Sequence, residues 1–315
     1  MTAKTSADGS PGSSRPGLDI HYEKISLTAQ LAAYMRQFSD IPFASDVADL
    51  LHSRQVFEAL LRGQQMTPED LTWYAPIFEA RYKSVTGAIH RTGSRQVLEL
   101  ASGLTLRGLA FAQDPAFTYI ESDLTSISAE KEAIIARLRQ KYGLADHGNL
   151  YFPAVNALDR GQLQEAIQHL DRDRPLVVVS EGLFPYLSRD EMRAVASNIR
   201  EVLAEFKGSW ITPDFSIKEE VDRVTEQQRS FRRIVAAATE HKMYNNAFDS
   251  LEQLQAFLDE MGLAAEMHHP VDEIGEIVSL RELHLPAALL DPIKASLRLW
   301  VLRLSGEEPS PPAAS

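Results

Sequence analysis

Four polar residues stand in or just after short apolar runs: Glu99 in Val97–Leu100, Asp123 after Tyr119-Ile120, Asn156 after Val155, and Glu181 after Val177-Val178-Val179. Carboxylates and amides at such points accept hydrogen bonds from sugar hydroxyls and base amino groups. The first run is followed by three small residues, Ala101, Ser102 and Gly103, and then a helix-compatible stretch from Leu106. Strand, small-residue turn and helix form a unit that lets backbone N–H groups approach a nucleotide. The same unit also serves as a plain buried turn, and here it departs from G-x-G-x-x-G. A second run, residues 118–123, ends in acids. An acid at the end of a second strand, here Glu121 or Asp123, suits ribose hydroxyls. No lysine follows the first turn, which argues against a P-loop. An acid for ribose without glycines for phosphate suits S-adenosylmethionine (SAM), which has a ribose and no phosphate.

These residues need elements to hold them. Residues 25–90 carry helical spacing, with Leu27, Leu31, Tyr34, Met35 and Phe38 in one stripe and Val47 to Leu61 in another. Thr67-Pro68-Glu69-Asp70 reads as a capped helix start. Strands are expected at 96–100, 118–123, 150–155, 175–179 and 209–215, with helices between them, and two final strands at 264–268 and 296–304. Pro153 marks the third strand as an edge or irregular one. Alternation of strands and helices predicts an α/β fold: a doubly wound, mostly parallel seven-stranded sheet whose last strand is antiparallel. A helical preamble over 25–90 and a helical insert over 216–247 would cover the ligand beyond the strand ends. Residues 1–17 and 305–315, rich in Ser, Gly and Pro, read as disordered tails around one domain, 18–304.

Composition narrows the function. The 315 residues include 44% hydrophobic and 24% charged residues, ordinary for a globular chain, with a net charge of −12 and no basic stripe. A nucleic-acid partner is not expected. With no cysteine, thiolate catalysis and zinc–cysteine sites are excluded. No metal site is expected; His268-His269 lacks partner ligands at useful spacing. No apolar run reaches membrane-spanning length and no signal peptide stands out, so a cytoplasmic protein without a membrane partner is expected. The oligomeric state is not legible.

The motifs together resemble the leucine carboxyl methyltransferase family, which includes polyketide O-methyltransferases and has the Rossmann-like class I methyltransferase fold. Residues 96–107 resemble its Gln-Val-Val-x-Leu-Gly-Ala-Gly-Leu-Asp-Thr-Arg, matching at Gln96, Val97, Leu100, Gly103, Leu104 and Arg107. Glu121-Ser122-Asp123 resembles its Glu-x-Asp, and Glu181-Gly182-Leu183 through Tyr186-Leu187 its Glu-Gly-Leu-x-x-Tyr-Leu. Asp40-Ile-Pro-Phe-Ala44 and Arg81 add to the likeness, which runs over 25–304. Ala101, Thr105, Leu106 and Asn156 depart from the pattern; Ala101 suits the turn only where positive φ is not demanded.

The resemblance implies SAM as cofactor and methyl transfer to a carboxylate or phenolic hydroxyl of a small molecule. It gives Arg81 to the methionyl carboxylate, Glu181 to the ammonium, Ala101 and Gly103 to backbone contacts, Asp123 to the ribose, and Asn156 with Ala157 to the adenine. Plain alternatives stand beside these: a surface arginine, a helix-start acid, a turn-forming asparagine. Glu99 belongs to the same group of strand-end acids. Tyr186 and His241 are the candidates for any catalytic group. Tyr186, Arg229, Arg232 and Arg233 are the candidates for holding an acceptor, although a solvated helix face also explains the arginines. A SAM-binding protein without methyl transfer and a protein C-terminal carboxyl methyltransferase are the alternative functions.

Overall fold

The computed structural model describes residues 28–62, 67–218, 247–270, 274–291, 293 and 297–306. The expected tails, apart from residues 305 and 306, lie outside the described residues. So do Arg229, Arg232, Arg233 and His241, with nearly all of the expected insert.

Seven strands form one sheet: β1 (Gln96–Leu100), β2 (Thr118–Glu121), β3 (Leu150–Tyr151), β4 (Leu176–Ser180), β5 (Gly208–Thr212), β6 (Leu263–His268) and β7 (Leu299–Leu304). Their order is β3-β2-β1-β4-β5-β7-β6. The first five pair in parallel, and β7 runs antiparallel between β5 and β6. The expected mixed sheet is therefore present, although β3 is two residues long. Pro153 falls just beyond it, and pairing resumes as a single Asp123–Ala154 bridge. An edge position tolerates this, because proline lacks the donor that a ladder needs.

Helices pack on both faces: α1 (residues 28–36), α2 (Ala44–Leu50), α3 (Ser53–Leu60), α4 (Ala75–Thr92), α5 (Arg107–Phe111), α6 (Thr125–Tyr142), α7 (Arg160–Ala166), α8 (Arg189–Phe206), α9 (Leu251–Glu260) and α10 (Val278–Glu282). Side-chain alternation splits the core in two. Leu98, Leu100, Val178 and Trp210 point toward α7, α8 and α9, while Val97, Val177, Val179 and Ile211 point toward α4, α5 and α6. α8 begins with a reciprocal cap between Ser188 and Glu191, which satisfies donors at its first turn. The start at Thr67–Asp70 differs from expectation. Asp70 does accept from the Thr67 N–H at 2.7 Å, but the segment that follows, Glu69–Tyr74, is a 3-10 helix leading into α4.

The preamble is tied to the body by charge as well as by packing. Leu31, Tyr34, Met35, Phe57, Leu71 and Tyr74 form a separate small core. Glu79, buried on α4, accepts from the backbone N–H groups of Val278 and Ser279 at 2.7 and 2.8 Å, and pairs with Lys83.

Candidate functional site

The strand order reverses between β1 and β4, and in open α/β sheets ligands bind beyond the strand ends at that point. A cavity of about 440 Å³ lies there. Loops after all five parallel strands line it, and α1 and α4 close it through Thr28, Leu31, Arg36, Phe78 and Arg81.

Glu181 is the electrostatic hub. Its Oε2 accepts from Arg107 Nη2 at 2.6 Å and its Oε1 from Arg36 Nη2 at 3.3 Å, with Arg81 Nε 3.9 Å away. Burial pushes the Glu181 carboxyl up, but Arg107, Arg36 and Arg81 outweigh it and hold it at about 2. Arg107 is sealed from solvent, lies over the Tyr82 ring, donates to Thr86, and also pairs with Glu99. Arg81 donates to Asp214 Oδ1 at 2.9 Å. Asp214 in turn takes the N–H groups of Gly182, Leu183 and Phe184 at 2.7, 2.8 and 3.2 Å. Burial pushes the Asp214 carboxyl up against the pull of Arg81 and these amides. The loop after β4 is thus held from β5.

The turn after β1 has two left-handed residues, Ala101 at φ 50° and Gly103 at φ 54°. Gly103 accepts this at no steric cost; Ala101 is strained by about 1–2 kcal/mol. The Gly103 N–H donates to Asp123 Oδ2 and the Leu124 N–H to Asp123 Oδ1, both at 2.7 Å. Burial raises the Asp123 carboxyl, and these two donors counter it. A carboxylate offers about four acceptor positions, so two remain for a ligand. Asn156 forms a local turn, accepting from the Leu158 N–H at 3.0 Å.

Of the residues singled out from sequence, Arg81, Ala101, Gly103, Asp123, Asn156, Ala157, Glu181 and Tyr186 all line this cavity. Glu99 and Glu121 are corrections: neither does. They are register partners on β1 and β2, so both carboxylates project to the same interior face. Glu99 accepts from Tyr119 Oη at 2.6 Å, and Glu121 accepts from the Gly108 N–H at 2.7 Å and faces Lys131 at 3.3 Å. Arg36 was not singled out. It follows an apolar stripe on α1, and partners far along the chain, Glu181 and the Phe78 ring, place it in the site.

A family profile for leucine carboxyl methyltransferase matches residues 44–200, about half of the chain. The chain belongs to the leucine carboxyl methyltransferase family. A proposed S-adenosyl-L-methionine-dependent methyltransferase of Mycolicibacterium paratuberculosis is 30% identical over 168 residues, 52% of this chain and 50% of that protein. Leucine carboxyl methyltransferase 1 of Eremothecium gossypii is 32% identical over 139 residues, 39% of this chain and 42% of its own length. The chain thus spans half or less of the curated relatives it matches. A duf574 family protein from Streptomyces avermitilis has the same fold at TM-score 0.53 and 14% identity, over 88% of this chain and 97% of that one.

The cavity of this family member fits SAM. Its volume lies within the range of small-molecule sites. Asp123 keeps acceptor capacity toward the cavity. Arg36 Nε is a buried donor without a hydrogen-bond partner, and a ligand carboxylate suits such a group. Among the described residues, no helix is long and apolar enough to cross a membrane.

Proposed function

We propose that the chain is a SAM-dependent O-methyltransferase acting on a carboxylate or phenolic hydroxyl of a small molecule. One observation carries this reading: Asp123, Asn156, Arg81 and Glu181, drawn from four separate elements, line one cavity at the sheet's switch point. When bound, SAM supplies a methyl group already activated on a sulfonium.

The protein's part is binding, alignment and exclusion of water. Asp123 accepts from the ribose hydroxyls, and residues 156–158 meet the adenine. Arg81 and Arg36 hold the methionyl carboxylate, while Glu181 keeps both arginines in place and accepts from the ammonium. Phe78, Pro185, Tyr186 and Pro213 form the wall left for the acceptor. Such a wall suits an aromatic or acyl body whose oxygen is turned toward the methyl group. A carboxylate acceptor needs no base; a phenol needs its proton removed, and Tyr186 and His241 are the candidates to assist.

Calorimetry with SAM and S-adenosylhomocysteine, followed by a labelled-methyl assay across small carboxylates and phenols, tests the reading. Binding with Kd near micromolar and label on an oxygen is the expected result. No heat at millimolar ligand overturns the cofactor assignment. Binding without label on any oxygen acceptor overturns O-methyl transfer.

A further inference from the structure

The turn that carries Ala101, Ser102 and Gly103 rests on a buried cation. Lys131, on α6, has 1% of its side chain exposed. Its Nζ donates to Ser102 Oγ at 2.7 Å and lies 3.3 Å from Glu121 Oε2, an oxygen with no other hydrogen-bond partner. Ser102 also bonds the Ser122 carbonyl through its N–H and its hydroxyl, at 3.1 and 3.2 Å. A single ammonium thus joins α6, the turn after β1 and the end of β2.

Burying an ammonium and a carboxylate together is expensive, and an apolar pair of similar volume is often as stable or more so. Packing alone therefore gives no reason for a lysine here. Its contacts do. Ser102 is the residue between the two left-handed positions of the turn, and the next N–H, from Gly103, grips Asp123.

We propose that Lys131 is a positioning residue for cofactor binding: it props the turn through Ser102 and places a buried positive charge one residue from the Gly103 N–H that grips Asp123, the acid assigned to the ribose. This rests on the cofactor reading above. Asp123 is held by the Gly103 N–H from the β1 turn and the Leu124 N–H at the start of α6, while the charges of Lys131 on α6 and Glu99 on β1 act on it at longer range. Burial and Glu99 drive the Asp123 carboxyl up; the two amides and Lys131 pull it down. Without Lys131 the balance shifts toward the protonated acid, which has lost acceptor capacity.

The test uses the full chain and S-adenosylhomocysteine, with Kd measured by calorimetry from pH 5.5 to 8.5. Lys131→Met alone leaves Glu121 buried without its cation and is expected to unfold readily. Lys131→Met with Glu121→Gln removes both charges and restores the fold. That double variant is expected to bind about tenfold more weakly at neutral pH, and to lose affinity at higher pH than the parent as the solution is acidified. Ser102→Ala cuts the prop and keeps the charge. It is expected to bind several-fold more weakly, with the parent's pH profile. Glu121→Gln alone is expected to bind within about threefold of the parent. A purely structural Lys131 predicts parental affinity and profile in the folded double variant, and either outcome there overturns the proposal. Parental affinity in Ser102→Ala overturns the prop even if the double variant does not fold. Failure of the parent itself to bind sinks the cofactor reading instead.

Discussion

Arg107 Nη2 lies 2.6 Å from Glu181 Oε2, and Arg107 is wholly buried with Glu181 nearly so. The guanidinium also pairs with Glu99, so one side chain neutralises an acid behind the sheet's end and another that faces the cavity. Arg107→Met leaves both carboxylates without that partner. A loss of about 3–5 kcal/mol is expected, because a buried charge stripped of its partner is costly. Chemical denaturation measures it, and a loss below about 1 kcal/mol contradicts the role.

Acid should weaken the protein through the same hub. The Glu181 carboxyl is ordinarily near 4.5 and is held here at about 2. Its folded value lies below the unfolded one, so its contribution is present above pH 4.5 and is lost as pH falls toward 2. Linkage makes that contribution about 3 kcal/mol. Glu121, Asp123 and Asp214 are shifted upward, so acidification relieves them and offsets part of the loss. Urea midpoints at pH 4.5 and 3 should fall more steeply for the parent than for Glu181→Gln; equal slopes refute the assignment.

The strained turn offers a stabilising change. Ala101 sits at φ 50°, where glycine carries no penalty. Ala101→Gly should gain up to about 1 kcal/mol, the relieved strain being partly offset by glycine's greater freedom when unfolded. A thermal shift upward, with S-adenosylhomocysteine affinity preserved, is the expected pair of readings. A lower melting temperature contradicts the strain.

Cofactor affinity should respond at two places far apart in sequence. On the proposed placement of the cofactor, Asp123→Ala and Arg36→Gln each remove a charge-assisted bond to the ligand, costing about 1.5–3 kcal/mol, or roughly ten- to a hundredfold in Kd. Decarboxylated SAM separates them. Arg36→Gln should bind it as the parent does, whereas Asp123→Ala should not. Equal weakening of both ligands by Arg36→Gln means that Arg36 acts only by holding Glu181.

The sheet and the polar residues of the cavity were legible in the sequence for a local reason. Asp123, Asn156 and Glu181 follow apolar β runs, and position at a strand end is written in adjacent residues. Arg36 and Lys131 were not legible as site residues. On α1 and α6 each reads as a charge on an amphipathic helix, and only partners brought together by tertiary folding bury them. Glu99 and Glu121 misled for the opposite reason. Both stand in the strands of a sheet whose ends carry the site, but the two-residue alternation turns their side chains behind it. Ala101 shows a third limit, since backbone handedness in a tight turn is not set by the residue's own preference.

The place of β7 bears on how the chain assembles as it is made. This strand, 299–304, is the last of the seven in sequence yet sits inside the sheet, joining β5 to β6. During synthesis the five parallel strands and their ligand loops can form first, with the flank of β5 open and β6 without a neighbour. Every nascent chain therefore passes through a stage in which Trp210 and Ile211 have no strand on their outer side. An unpaired central strand of that composition readily recruits other chains. Insertion of β7 between β5 and β6, more than the completion of the cavity, is then the step that covers this open flank.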